Sequence, residues 1–189
     1  AAQGGSGLRQ LKMADLTDGQ HSVQLNEFGM RKGGSAEETA YSDKRSQLSR
    51  LGNAAVTLLL QNNRNIRYLD LSFNPLISAN AISDIDIQIP NLLTVMLDGC
   101  DIGSFGLACL AERCPLMETL SLSNHRSLED SGLFALAGQC KSLRYLDISD
   151  CHKTTDRGVG AVVFNCAHLI YLSCASSVTQ TDSVGGRFE

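Results

Sequence analysis

The chain has 189 residues, 43% of them hydrophobic, with 16 basic side chains and a formal net charge of −4. That length holds one domain with a sizeable core, or a short array of repeats. No basic run exceeds three residues, which argues against nucleic-acid binding because phosphate recognition needs a concentrated positive field. The longest apolar stretches, AAVTLLL (54–60) and AVVF (161–164), fall far short of the roughly 18 to 20 residues that cross a bilayer, so no membrane insertion is expected.

Residues 1–47 read as an N-terminal arm. The opening AAQGGSG has neither an initiating Met nor the charged-then-apolar layout of a secretory signal, as expected after processing or inside a longer chain. The stretch LKMADLTDGQHSVQL (11–25) suggests a hairpin around Asp18 and Gly19, with Leu11 and Met13 facing Val23 and Leu25. Alternatively, Leu8, Leu11, Met13 and Leu16 form an early degenerate repeat followed by an insertion. The polar, glycine-interrupted GMRKGGSAEETAYSDKRS (29–46) reads as a loop or linker.

Residues 48–189 follow a period. One apolar template recurs: Ile66, Leu69 and Leu71 ending at Asn74; Leu92, Val95 and Leu97 ending at Cys100; Met117, Leu120 and Leu122 ending at His125. It continues as Leu143, Leu146 and Ile148 ending at Cys151, then Leu169, Leu172 and Cys174 ending at Ser177. The first positions are separated by 26, 25, 26 and 26 residues. Between the templates lie helix-spaced blocks: Val56, Leu59, Leu60; Ile82, Ile85, Ile89; Leu107, Leu110, Cys114; Leu133, Leu136, Cys140; and Val159, Val162, Val163, Cys166. Three blocks open at Gly106, Gly132 and Gly158. Asp130 and Asp156, with Asp182 in register, are expected to cap helix N-termini, each cap contributing about 1 kcal/mol.

A strand, a turn and a helix repeated at this interval are the signature of leucine-rich repeats, whose length is about 20 to 29 residues. The segment LFALAGQCKSLRYLDISDCHKTTDRGV (133–159) more narrowly resembles the cysteine-containing leucine-rich repeats of F-box/LRR proteins. The resemblance covers roughly residues 50–182. It implies an α/β solenoid curved as a right-handed horseshoe arc, about five repeats long, with a parallel sheet on the concave face and helices on the convex face. No stretch of the chain reads as a complete F-box.

The cysteines fit the repeat. Cys114, Cys140 and Cys166 close successive helices, while Cys100 and Cys151 end strand segments; Cys109 and Cys174 are core variants of the same pattern. Cysteine is small, commonly buried and a weak S–H donor, so packing is the expected role. The close Cys pairs of zinc sites do not occur, and no cofactor or metal is expected. Seven cysteines at repeat positions fit an intracellular, reducing compartment better than a disulfide framework. His125 is expected to satisfy turn backbone groups, and His152 and His168 to be exposed; His21 belongs to the arm. A Cys/His catalytic pair lacks a third orienting group, so no enzymatic activity is expected.

After Ser177 the chain reads TQTDSV and then GGRFE, with no closing helix. The expectation is an uncapped array whose last strand, Leu169 to Cys174, keeps an open edge; either the chain is a fragment or another subunit covers that end.

Alternation places three columns on the concave face: Tyr68, Thr94, Thr119, Tyr145, Tyr171; Asp70, Met96, Ser121, Asp147, Ser173; and Ser72, Asp98, Ser123, Ser149, Ala175. Tyr68, Asp70, Met96, Asp98, Tyr145, Asp147 and Tyr171 are the expected partner-binding residues, and their negative bias, shared by Asp150, suits a protein or peptide partner with a basic surface. Two roles are open. One is a structural subunit of a hetero-oligomeric assembly; the other, implied by the resemblance, is the substrate-recognition part of an F-box/LRR ubiquitin ligase receptor.

Overall fold

The computed structural model describes residues 10–12 and 52–177. The expected hairpin and linker of the N-terminal arm, His21 and the segment from Val178 onward lie outside the described residues.

Six short strands form one parallel sheet in chain order: β1 (Gln10–Lys12), β2 (Tyr68–Asp70), β3 (Thr94–Met96), β4 (Thr119–Ser121), β5 (Tyr145–Asp147) and β6 (Tyr171–Ser173). The strand from the arm pairs with β2 through Leu11 opposite Leu69. Each later pair keeps the same register, so Leu69, Val95, Leu120, Leu146 and Leu172 form one inward column. Strand-to-parallel-strand connections need a crossover. Here the crossovers carry α1 (Asn53–Asn62), α2 (Asn80–Ser83), α3 (Gly103–Arg113), α4 (Asp130–Gln139) and α5 (Asp156–Asn165). The result is an α/β solenoid of stacked coils, sheet on one side and helices on the other.

One hydrophobic interior runs through the coils. The template residues from Ile66 to Ile148 are fully buried, together with the helix positions Val56, Leu60, Leu107, Leu110, Leu133 and Leu136. Burying such a side chain stabilises by about 1.5–3 kcal/mol. After each strand from β2 to β6 the chain takes a left-handed step, at Phe73, Gly99, Asn124, Asp150 and Ser176, with φ between 58° and 65°. That step aims the amides of Phe73, Gly99, Asn124 and Asp150 at carbonyls of the next coil. Gly99 suits it twice over, since a Cβ there would also meet the Phe73 ring at 2.8 Å.

Three expectations about the helices need correction. The block Ile82, Ile85, Ile89 is helical only to Ser83. β-Branched isoleucines at alternate positions 85, 87 and 89 oppose the helix, and Pro90 pushes Ile89 out of the helical region; all three template isoleucines are nevertheless buried. The glycines at 106, 132 and 158 lie inside the helices rather than opening them. They let neighbouring helices approach closely, because a Cβ on Gly106 or Gly132 would stand 3.0 Å from the Cα of Ala79 or Ser104.

The third correction concerns capping. Asp130 is the first residue of α4, and its carboxylate accepts from the Thr155 amide (2.7 Å) and hydroxyl (2.5 Å) of the next coil instead of from its own helix. Thr155 then caps α5 by accepting from the Arg157 amide. The same staple occurs twice more, between Asn53 and Ser78 and between Ser104 and Glu129. These polar residues tie successive coils together along the helix N-termini.

Candidate functional site

The strands fix the concave columns by register: Tyr68, Thr94, Thr119, Tyr145 and Tyr171 are successive partners, as are Asp70, Met96, Ser121, Asp147 and Ser173. Six of the seven sequence-selected residues therefore share one sheet face, and Asp98 lies two residues beyond β3. They are far from equally accessible. Tyr68 and Tyr145 are 9% exposed, Met96 is 2% exposed, and Asp70 and Asp98 are also buried. Asp147 is half-buried and Tyr171 is 45% exposed. Contact area open to a partner therefore concentrates toward β6.

Contacts within the columns account for part of that burial. The Tyr68 hydroxyl donates to the Met96 sulfur at 3.1 Å. Tyr145 and Tyr171 stack with ring centroids 5.9 Å apart and planes 28° from parallel, a geometry in the favourable range for aromatic pairs. The carboxylates also shape the backbone: Asp70 accepts from the Ser72 amide, Asp147 from the Ser149 amide, and Asp98 from the Ser123 amide and the Ser121 hydroxyl. Ser149 and Ser173 share a hydroxyl bond of 2.7 Å. Charge-assisted bonds of this kind hold each aspartate in place on the face.

Behind the sheet lie the thiols, which sequence reasoning assigned to packing. Cys100 and Cys151 donate to the Leu71 and Leu122 carbonyls of the preceding coil, each at 3.1 Å, and Ser177 repeats this toward Ile148. Cys140 and Cys166 donate more weakly to the carbonyls of Cys114 and Cys140, at 3.6 and 3.5 Å. Burial pushes the thiols of Cys114 and Cys140 up to about 12 and that of Cys151 to about 11. A thiol held so far above neutrality has almost no thiolate with which to react or bind metal. Cys109 and Cys174 are only half-buried.

His125 occupies the same column between Cys100 and Cys151, and it does not behave as expected. The ring is fully buried, and neither nitrogen has a hydrogen-bond partner. Burial lowers its pKa, outweighing the nearby Ser123 and Leu122 carbonyls and the carboxylates of Asp101 and Asp98, which all favour protonation. The imidazole is longer than the cysteine or serine it replaces, so it overshoots the geometry that lets them donate to the coil before. His152 and His168 are exposed, as the sequence indicates.

Sequence reading missed the staples of Asn53, Ser104 and Asp130, although their register with one another carried the signal. No group of three or more His, Cys, Asp or Glu side chains is arranged to hold a metal ion among the described residues. No helix among them is long and apolar enough to cross a membrane.

A solenoid of strand, left-handed step and helix, with a buried leucine column and a thiol ladder, defines the class. The leucine-rich repeat family model matches residues 62–85, 113–137 and 139–163. The chain is a leucine-rich repeat protein. The family is generally a non-catalytic interaction scaffold. The unmatched stretch 86–112 includes the irregular Asp86–Pro90 segment. Comparison with curated proteins gives no match.

Proposed function

We propose that the chain is a non-catalytic protein-binding scaffold that receives a partner with a basic surface on its concave sheet face, as a subunit of a larger assembly. One observation carries this reading: from β2 to β6 the columns carry Asp70 and Asp147, with Asp98 just beyond β3, and no Lys or Arg, the lysine in register being Lys12 of β1 opposite Asp70, and they end in the stacked Tyr145–Tyr171 pair. Rigid aromatic area beside a carboxylate suits an arginine or lysine side chain, through stacking and ion pairing together. Tyr68, Asp70, Met96 and Asp98 set the shape and charge of the floor, while Tyr145, Asp147 and Tyr171 supply the contact edge. Seven cysteines, none of them in a disulfide, favour an intracellular, reducing setting.

The test uses an oligoarginine peptide at low salt. Asp147→Lys and Tyr171→Ala should each weaken binding by about tenfold, the loss of a charge pair or an aromatic anchor of 1–2 kcal/mol. Glu112→Lys, on the helical side, should leave it unchanged. Equal weakening by Asp147→Lys and Glu112→Lys, with none from Tyr171→Ala, would mean that only net charge matters and would remove the site. The cysteine-bearing template favours a second reading, the substrate-recognition part of an F-box/LRR ubiquitin ligase receptor; co-purification of the protein with a ligase core would select it.

A further inference from the structure

The outward faces of α3, α4 and α5 are uncharged along their middle turns. Charged residues in these helices are Glu112 and Arg113 at the end of α3, Asp130 at the start of α4, and Asp156 and Arg157 at the start of α5. Between them stand three bare rings, Phe105, Phe134 and Phe164, which are 66%, 44% and 89% exposed. A helix packed on a core ordinarily turns polar and charged residues to solvent, and a contiguous exposed apolar patch marks a contact surface. The exposure is a property of the helix faces rather than of the end of the array. Phe105 and Phe134 have a coil on either side, and the counterparts of Phe164 on α3 and α4, Glu112 and Gly138, are exposed as well.

The rings lie on one oblique line. Gly106, Gly132 and Gly158 recur at the same place in the three helices, so the counterpart of Phe105 on α4 is Ser131, and Phe134 lies three residues beyond it. On α5 the counterpart of Phe134 is Gly160, and Phe164 lies four residues beyond that. Each step therefore crosses one helix, about 9 Å, and climbs about 5 Å along it. The two steps are nearly equal, which puts Phe134 at the middle of the line. Gly138 and Gly160 leave room beside the rings, since nothing lies within 4 Å of where a Cβ would stand on either.

A line of rings symmetric about its centre is matched by its own copy. A twofold axis across the line at Phe134 sets Phe134 against the partner's Phe134 and Phe105 against the partner's Phe164, an isologous contact. The same rotation joins opposite charges on both flanks: Glu112 meets the partner's Lys141, and Arg157 meets the partner's Glu129. All four are exposed, and both glutamates stay largely open beside Arg113 and Lys153. We propose that α3, α4 and α5 form the contact between two copies of this chain, joined back to back. Three short helices make a patch at the small end of specific interfaces, so a dissociation constant of roughly 1–100 µM is expected. Both concave faces then point away from the contact, and the proposal does not rest on the reading given for them.

Sedimentation equilibrium of the full chain across about 1–300 µM tests this. The expected result is a single monomer–dimer equilibrium with no larger species, as a closed twofold contact requires. Phe134→Asp, which alters both sides of the axis at once, should raise the dissociation constant by about a hundredfold or more, and Phe105→Ala by about tenfold. Both positions are exposed, so the denaturant midpoint at low concentration should move little. Glu112→Lys and Lys141→Glu should each weaken the dimer by about threefold or more, and the double variant should recover it. Ile170→Lys, at the edge strand, should change nothing. A chain that stays monomeric throughout would overturn the inference; the helical face would then belong to another protein or to the chain's own arm. Growth beyond a dimer, loss of the dimer in Ile170→Lys instead of Phe134→Asp, or a charge-reversed double variant weaker than either single one would overturn it equally.

Discussion

Leu146→Ala should lower unfolding free energy by about 2–5 kcal/mol, read as a shift in denaturant midpoint at constant slope. Leu146 is fully buried and lies in register between Leu120 and Leu172, so truncation opens a void that neither neighbouring coil can fill without losing its own packing. The matching change Leu172→Ala should cost less than half as much, because Leu172 is only half-buried and already has an uncovered side. In a repeat array stability is close to a sum of coil and interface contributions. Equal losses at the two positions would contradict the half-burial of Leu172.

The second expected result concerns pH. His125 is buried, neutral and without a hydrogen-bond partner, and its pKa is lowered by burial. The unfolded chain binds a proton at this residue near the ordinary value of about 6.5, while the folded chain resists it. Stability is therefore complete above that value and declines as pH falls below it, by at most about 1.4 kcal/mol per pH unit, until the folded-state value is reached. His125→Asn introduces the residue that the first coil carries at Asn74 and should flatten the slope between pH of about 6.5 and 5, while raising stability at the acid end. An unchanged slope in that variant would assign the acid sensitivity to other groups and place His125 outside the protein's pH response.

The coil was legible in the sequence because its length is set by geometry. A strand, a left-handed step and a helix consume a nearly fixed number of residues, so Leu69, Val95, Leu120, Leu146 and Leu172 had to recur at that spacing to share one column. Thiol positions followed for the same reason, since every coil leaves the same narrow slot beside the same carbonyl. Features that depend on what lies across a contact were harder to read. Asp130 looks like a helix cap until Thr155 of the next coil is placed beside it. The Gly106, Gly132 and Gly158 series looks like helix openings until the close approach of the preceding helix is known. Ile82, Ile85 and Ile89 fit a helical spacing while Ile85, Ile87 and Ile89 fit an alternating one, and only Pro90 and the β-branched run decide between them. Accessibility of the concave face was least legible: the same Asp and Tyr types recur along the columns, yet Tyr145 is buried beneath its surroundings and Tyr171 is open.

The claim beneath all of this is that the coils share one continuous interior in which sulfur fills space and donates weakly to the coil before. Thiol labelling in the native state at a pH of about 8, resolved by residue, measures it directly, because reactivity needs both access and thiolate. Cys114, Cys140 and Cys151, fully buried and with thiol pKa values of about 11 to 12, should label only as fast as the array unfolds, well after Cys109 and Cys174. Rapid modification of those three thiols in the folded protein would contradict a shared interior.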